Sequence, residues 1–239
     1  MRRTAALVCA LLAMGCGAER APAQAAEEIA VVTDDPELRA LAERLLPDLA
    51  RRSGLDVRAP IRLERRSRAA LIEYLESKLD ADLPPARAER LETAYTLLGL
   101  APADFDLRSS LLAVYTEQVA GFYDPDSTTL YVLDDQPRAV LEPLLLHELV
   151  HAVQDQWIDL EAATAMELGN DRRLAALAAI EGHATFVMLE HTLAGMGGAS
   201  DLTQVDDFAA LVGPALAGAR DQYPVLAAAP RVIQESLLL

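Results

Sequence analysis

Hydrophobic residues recur at three- and four-residue spacing along much of the 239-residue chain, a period that predicts amphipathic helices. Asp35 can cap a first helix that starts at Pro36. A third helix is predicted from about Pro85 to Leu98, ending at Gly99. Between them, Ser67 can cap a second helix whose apolar residues share one face: Leu71, Ile72, Leu75 and Leu79. These helices have no chemical signature, so we expect them to serve core packing.

A different pattern predicts a small sheet. The stretch "LLAVYTEQVAGFYDPDSTTLYVLDD" is rich in β-branched and aromatic residues and is divided by a turn signal at residues 124–127. It predicts a hairpin with strands near Gln118–Tyr123 and Thr129–Leu133. A short extended segment is predicted near Ile61–Leu63. The fold class indicated is α+β, predominantly helical, with a small hairpin or sheet beside the helix that contains "HELVH".

Two long helices are predicted in the second half of the chain. The first contains "LLLHELVHAVQDQW" (Leu144–Trp157), and it starts either at Pro143 or, with a kink, at Pro137. A loop or short helical piece follows, and the second helix runs from about Asp171 to Glu190. The segment Gly195–Ser200 then breaks the chain, and the Ala-rich remainder is predicted to be helical.

The N-terminus has the layout of a secretory signal peptide. Arg2 and Arg3 precede an apolar run, Ala5–Met14, that is too short to span a bilayer. Cys16 lies just beyond this run, as in a bacterial lipobox, where the cysteine is lipidated and becomes the first mature residue. Ala13 stands where a leucine is usual. We expect an exported protein that is anchored to the cell-envelope membrane through Cys16.

Ordinary signal cleavage is the alternative, because the small-x-small stretch Ala23–Ala25 fits a peptidase site. The protein would then be periplasmic or secreted. The predicted organisation is a signal peptide in residues 1–16, a tether in 17–30, a helical region in 31–106 and a catalytic region in 107–239. The apolar ending "RVIQESLLL", which has no cap or polar tail, is interpreted as a fragment or an early stop.

Charge and cysteine content exclude two kinds of function. A formal net charge of −16 argues against nucleic acid as a partner, because phosphate binding needs clustered Lys and Arg. The basic stretch Arg51–Arg68 is flanked by acidic residues and is interpreted as solvated surface. Cys9 and Cys16 both lie in the signal segment. The mature chain therefore has no disulfide and no cysteine cluster, and a metal ion must be held by His and carboxylate groups.

The histidine pair in "HELVH" carries the candidate chemistry. His147 and His151 are four residues apart, so on a helix their rings lie on one face, one turn apart, and can chelate one ion. Glu148 lies beside the pair and can reach a water bound to that ion. Two hydrogen-bonded core histidines are the alternative. A di-iron site is excluded because neither His183 nor His191 has a Glu three residues before it.

Glu181 is the best third ligand. It follows His151 by 30 residues and is the only charge between Leu174 and Gly182, so burial there would require a positive partner such as Zn²⁺. His183 points about 200° away from Glu181 on a helix, so only one of them can face the metal. The Glu181 face is predicted to pack toward the histidine helix through apolar residues: Leu174, Leu177, Ala178, Ala184 and Met188. The rival ligands are His183, Glu190, His191, Glu161 and Glu167; of these, Glu190 and His191 are predicted to be solvated near the helix end.

These residues resemble the gluzincin metallopeptidases, and more narrowly an uncharacterised bacterial group of predicted metallopeptidases and lipoproteins. The resemblance rests on "EQVAGFYDPDSTTLYV", "HELVHAVQDQW" and "AAIEGHATFVMLE" and covers about Leu107–His191. It implies a zincin-like fold and zinc-dependent peptide hydrolysis. It also implies that His147, His151 and Glu181 are zinc ligands and that Glu148 is the general base that activates a zinc-bound water.

The resemblance leaves three roles open. Thr185 stands where many gluzincins carry an Asp, so the partner that orients a ligand histidine is not identified. Four residues are candidates for stabilising the transition state: Tyr123, Tyr131, His183 and Tyr223. The segment Val119–Phe122 is predicted to pair with an extended peptide or protein substrate, although a purely structural hairpin is the alternative.

The predicted function is therefore zinc-dependent hydrolysis of peptide bonds. A non-catalytic zinc-binding protein or a helical adaptor lipoprotein of the cell envelope is the alternative. The sequence does not predict the oligomeric state.

Overall fold

The computed structural model describes residues 31–165, 169–198, 201–210, 213 and 222–237. The predicted signal peptide with Cys9 and Cys16, the alternative cleavage site and the tether lie outside these residues. So does Glu167, one of the rival ligands. Within the described ranges, none of the helices combines the length and the apolar character that crossing a bilayer requires.

The fold is α+β and predominantly helical, as predicted. The helices include α1 (Pro36–Ser53), α2 (Arg68–Asp82), α3 (Pro85–Leu97), α4 (Leu107–Gln118), α5 (Arg138–Asp155), α6 (Leu160–Ala163), α7 (Asn170–Gly195), α8 (Pro224–Ala228) and α9 (Arg231–Leu237). Four strands form one mixed sheet: β1 (Val31–Val32), β2 (Ile61–Arg66), β3 (Gly121–Asp124) and β4 (Thr129–Leu133). The order is β1-β2-β4-β3, in which β1, β2 and β4 run parallel and β3 is an antiparallel edge strand.

Capping residues set the predicted helix starts. The Asp35 carboxylate accepts hydrogen bonds from two backbone N–H groups of the first turn of α1, and Ser67 Oγ accepts one from Ala70 N–H in α2. Gly99 follows α3 with φ of 69°, a conformation that glycine adopts without steric penalty. These three helix boundaries confirm the predictions to within one or two residues.

Other boundaries differ from the prediction. Residues 107–118 form α4, so the first hairpin strand begins at Gly121 rather than near Gln118. The helix α5 starts at Arg138, and Pro143 lies inside it, so the earlier of the two predicted starts is the one observed. The helix α7 extends to Gly195 instead of ending near Glu190.

The main core lies between one face of the sheet and helices α1, α5 and α7. Its residues come from both sides of the predicted boundary at residues 106 and 107, and they include Leu38, Leu45, Leu63, Leu130, Leu145, Leu149 and Val187. A second, smaller core joins α2, α3, α4 and α9 through Leu79, Ala88, Leu107 and Ile233. On the other face of the sheet, Tyr74 of α2 stacks on Phe122, which contacts Tyr131.

The edge strand β3 lies close to its partner strand β4 because Gly121 has no side chain. A Cβ at this position would lie 2.9 Å from the backbone oxygen of Tyr131 and 3.5 Å from a methyl carbon of Leu144. Such a distance to a backbone atom requires the strand to move. Gly121 thus lets the two hairpin strands approach each other, while Leu144 of α5 lies at an ordinary contact distance.

Candidate metal centre

Helices α5 and α7 bring three potential ligands together. His147 and His151 lie one turn apart on α5, and their Nε2 atoms are 3.1 Å apart. The Oε2 atom of Glu181 on α7 lies 3.3 Å from His147 Nε2 and 3.5 Å from His151 Nε2. One carboxylate oxygen and two ring nitrogens therefore point toward a common position, where they could hold a metal ion.

The group lies at the border between core and solvent. The His151 and His147 side chains are 10% and 19% exposed, whereas the Glu181 side chain is 51% exposed. The neighbouring His147 and His151 rings hold the pKa of Glu181 far below its usual range. The two rings already provide Glu181 with polar partners before any ion is considered.

The predicted burial of Glu181 is wrong. The buried stripe of α7 consists of Ile180, Ala184 and Val187, whereas Leu174 from the predicted stripe is 49% exposed. This stripe is rotated by about one residue, or roughly 100°, from the predicted one. As a result Glu181 lies at the rim of the interface between α5 and α7, where its carboxylate still reaches the histidines.

Glu148 is buried beside the two histidines and is fixed by the edge strand. Its Oε2 atom accepts a hydrogen bond of 2.9 Å from the backbone N–H of Tyr123 in β3. Burial raises the pKa of Glu148, and the neighbouring His151 and His147 oppose that increase. The contact joins the hairpin to α5, so the predicted position of the hairpin beside the histidine helix is confirmed.

The ladder between β3 and β4 explains why this N–H is available. The Ala120 carbonyl accepts from Leu133 N–H, and backbone groups of an antiparallel edge strand face the partner strand at every second residue. Ala120 and Phe122 therefore direct their backbone groups to β4. Gly121 and Tyr123 direct their backbone groups away from β4, to the outer edge of the sheet. There the Tyr123 N–H donates to Glu148.

His151 is held from behind by a residue that the sequence did not single out. Its Nδ1 atom lies 2.9 Å from Oε1 of Gln154, one turn further along α5. The Nε2 atom of Gln154 donates to the Ile180 carbonyl at 3.1 Å and lies 3.0 Å from His183 Nδ1. His183 Nε2 in turn lies 3.2 Å from the Ser53 carbonyl oxygen. Gln154 is 5% exposed, so this chain of contacts is internal.

The sequence offered one signal for Gln154. It lies three residues after His151 and seven after His147, so it shares their helical face in a segment otherwise rich in Leu and Val. A buried uncharged polar side chain there requires hydrogen-bond partners, and a histidine ring is the nearest candidate.

Two of the rival ligands, Glu190 and His191, have other partners. Glu190 is 6% exposed, so the prediction that it is solvated is wrong; Arg52 Nη1 lies 3.3 Å from its carboxylate, which also accepts from Leu202 N–H. His191 contacts Asp48 at 2.7 Å and Glu142 at 3.0 Å. The His191 side chain is only 22% exposed and has two carboxylate partners, so His191 is not solvated as predicted either.

The four candidates for transition-state stabilisation also have contacts elsewhere. The Tyr123 hydroxyl donates to Asp155 at 2.8 Å, and His183 lies in the chain of contacts behind His151. Tyr131 lies on the sheet face that packs on α2, with its hydroxyl 3.4 Å from Ser127 Oγ. Tyr223 precedes α8, whose first turn donates two backbone hydrogen bonds to Glu117 of α4. None of these contacts directs a hydroxyl or a ring nitrogen toward the three ligand atoms.

Comparison of the chain with family models, curated proteins and solved structures finds no match.

Proposed function

We propose that this chain is a zinc-dependent metallopeptidase with a zincin-like fold. In this proposal His147, His151 and Glu181 hold the ion, and Glu148 is the general base. The observation that carries it is the approach of three ligand atoms from two helices to within 3.1–3.5 Å of one another, with a buried carboxylate beside them.

The separations of the ligand atoms favour a tetrahedral ion. Bonds of about 2.0–2.1 Å to a tetrahedral Zn²⁺ place neighbouring ligand atoms about 3.3–3.4 Å apart. An octahedral ion with bonds of about 2.1 Å would bring them to about 3.0 Å. The observed separations of 3.1, 3.3 and 3.5 Å lie around the tetrahedral value.

The donor set supports the same ion. Two imidazole nitrogens with one carboxylate oxygen suit zinc, whereas Ca²⁺ and Mg²⁺ prefer oxygen ligands. Three protein ligands also leave a fourth tetrahedral position for water or substrate, as in catalytic rather than structural zinc sites.

Each residue of the site then has a defined task in hydrolysis. A bound zinc ion supplies Lewis acidity, which lowers the pKa of water and polarises a peptide carbonyl. Glu148 takes the proton of the attacking water and passes it to the leaving amine. The Tyr123 N–H holds one oxygen of Glu148, so the carboxylate keeps its orientation while the other oxygen handles the proton.

The free edge of β3 favours an extended peptide or protein as the substrate. Tyr123, which is partly exposed, directs its backbone C=O group to this edge, where it can pair with a peptide backbone of any sequence. The bond between Tyr123 and Glu148 places that edge beside the general base. We also propose that the enzyme acts outside the cytoplasm, because the sequence predicts export.

Metal analysis and a cleavage assay together test the proposal. Purified residues 17–239 are expected to contain about one zinc ion per chain and to cleave an unfolded protein such as labelled casein, with activity lost on chelation and restored by zinc. Glu148→Gln keeps the size of the side chain but removes the base, so we expect zinc to remain and cleavage to fall by at least about 100-fold. The control is Glu161→Gln in α6, which removes a carboxylate away from the ligands.

The outcomes separate the alternatives. Zinc binding without cleavage by the parent would favour a non-catalytic zinc protein. Absence of zinc from the parent would favour the adaptor function. Full activity of Glu148→Gln would exclude Glu148 as the general base.

A further inference from the structure

We propose that Gln154 and His183 are positioning residues that fix the tautomer of His151, so that its Nε2 lone pair faces the ligand position. The inference rests on the proposed function only in assigning a metal ion to that position. The chain of contacts behind His151 defines the tautomers one step at a time, beginning from groups whose hydrogen-bonding role cannot change.

The Ser53 carbonyl is the first fixed group. A carbonyl oxygen only accepts, so His183 Nε2, 3.2 Å away, must carry a hydrogen. In a neutral imidazole the other nitrogen is then an acceptor. His183 Nδ1 can therefore be contacted at 3.0 Å only by a donor, which is the amide nitrogen of Gln154.

The Ile180 carbonyl fixes the same amide independently. It lies 3.1 Å from Gln154 Nε2 and also only accepts. Both amide hydrogens of Gln154 are thus used, one by Ile180 and one by His183. A rotated amide would place its oxygen against a carbonyl oxygen and against the acceptor nitrogen of His183. Two separate contacts therefore hold Gln154 with Oε1 toward His151.

The consequence for His151 follows directly. Gln154 Oε1 only accepts, so His151 Nδ1, at 2.9 Å, must carry the hydrogen. The other ring nitrogen, Nε2, then keeps its lone pair, and this is the atom that lies 3.1 Å from His147 Nε2 and 3.5 Å from Glu181 Oε2. Gln154 and His183 thus leave the Nε2 lone pair of His151 available to a metal ion before any ion binds.

Gln154 fills the role that the sequence left unassigned at Thr185. A ligand histidine commonly donates its second N–H to a carboxylate, a backbone carbonyl or water. Here the acceptor is a neutral amide on the same helix as the ligand. A divalent ion together with Glu148 and Glu181 carries no net charge, and a carboxylate at residue 154 would add a buried negative charge. The amide orients the ring without adding one.

The test measures tautomers and zinc affinity separately. In zinc-free protein at pH 8, nitrogen NMR of labelled histidines should show His151 as the Nδ1–H tautomer in the parent. Gln154→Met keeps the length of the side chain but removes the acceptor, so a mixture of tautomers and a 10- to 100-fold increase in the zinc Kd are expected. Gln154→Glu restores an acceptor for His151 and should restore the Nδ1–H tautomer.

The matched control is Gln156→Met. Gln156 lies two residues further on and accepts from Arg58 N–H and Ala59 N–H at the surface, so its loss also removes hydrogen bonds but leaves the partners of His151 unchanged. We expect its zinc Kd to stay within about threefold of the parent value.

Each result has a defined meaning. An Nε2–H tautomer of His151 in the zinc-free parent would overturn the proposal without any variant being needed. Equal zinc affinity of a folded Gln154→Met protein and the parent would also overturn it. If the parent binds no zinc, the proposed function fails. The tautomer measurement still tests whether Gln154 and His183 fix the tautomer of His151.

Discussion

Glu181 supplies the contact between α7 and the two histidines of α5. Its Oε2 atom lies 3.3 and 3.5 Å from the two ring nitrogens, while His183, two residues further along α7, faces Gln154 instead. Neighbouring polar residues of α7 therefore have different roles: one reaches the ligand position, and the other supports a ligand from behind.

This difference predicts opposite effects on zinc binding. Glu181→Ala removes a direct ligand, so we expect zinc affinity to fall by more than about 100-fold, beyond what loss of an orienting partner causes. His183→Ala should keep about one zinc per chain, with a Kd increase of at most about 10-fold, because the Ile180 carbonyl still holds Gln154. Isothermal titration calorimetry measures both, with Glu161→Ala as the control. Loss of zinc in His183→Ala but not in Glu181→Ala would contradict the assignment of ligands.

Individual residues of the site were predictable to different degrees. His147 and His151 could be paired from helical periodicity alone, since residues four apart share a face. The exposure of Glu181 could not be predicted in this way. An error of one residue in the buried stripe of α7 turns the predicted helix face by about 100°. The burial of Glu190 depends on Arg52 in α1, which is 138 residues away in sequence. Such pairings leave no local signal.

At the scale of elements, acidic and basic side chains connect the three long helices α1, α5 and α7. His191 of α7 contacts Asp48 of α1 at 2.7 Å and Glu142 of α5 at 3.0 Å. Arg44 of α1 binds Glu142 at 2.9 Å, and Arg52 of α1 binds Asp48 at 2.7 Å. Carboxylates and cations thus alternate across the interface of α1, α5 and α7, the same helices that hold the site.

These contacts predict a loss of stability in acid. Burial alone would raise the pKa of Asp48, but hydrogen bonds from His191 and Arg52 lower it from 3.8 to about 2. Hydrogen bonds from Arg44 and then His191 lower the pKa of Glu142 from 4.5 to about 2. Because the folded-state values lie below the unfolded ones, both groups stabilise the fold above about pH 4.5, and this contribution is lost as the pH falls toward about 2.

Urea unfolding of zinc-free protein between pH 6 and pH 2 checks this. Glu142→Gln should have a lower free energy of unfolding than the parent at pH 6, and the difference should shrink toward pH 2, where Glu142 of the parent becomes protonated. Glu73→Gln, which removes an exposed carboxylate of α2, is the control. A difference that stays constant over the whole pH range would contradict the role of Glu142.

Element boundaries were predictable where a cap or a breaker marks them. Asp35, Ser67 and Gly99 each fix a helix end through local chemistry. The helix α4 was missed because its β-branched and aromatic residues favour strand composition, although Asp106 caps it by accepting from Ser109 N–H. The strand β1 has two residues and exists through parallel pairing with β2, a contact that the segment itself does not encode.

At the scale of the whole molecule, the sheet crosses the boundary predicted at residues 106 and 107. The strand β2 pairs with β4 along five residues, from Arg62 with Thr129 to Arg66 with Leu133. Val31, Leu38 and Leu45 from the first region pack in the same core as Leu145, Leu149 and Val153 of the histidine helix. The region that carries the candidate ligands therefore depends on the preceding one for half of its sheet and for part of its core.

The shared core predicts that residues 107–239 do not fold alone. Without β1, β2 and α1, strand β4 loses its parallel partner and α5 exposes apolar side chains that are fully buried in the whole chain, including Leu145, Leu146 and Leu149. Burial of each such side chain contributes about 1.5–3 kcal/mol, so exposure of these three alone costs about 4.5–9 kcal/mol, which is comparable with the 5–15 kcal/mol that stabilises a typical domain. Residues 31–239 should unfold cooperatively and bind zinc, whereas residues 107–239 should show neither property. Circular dichroism during heating and zinc titration of both polypeptides measure this, and cooperative unfolding of the shorter one with parent-like zinc affinity would show that residues 107–239 form an independent domain.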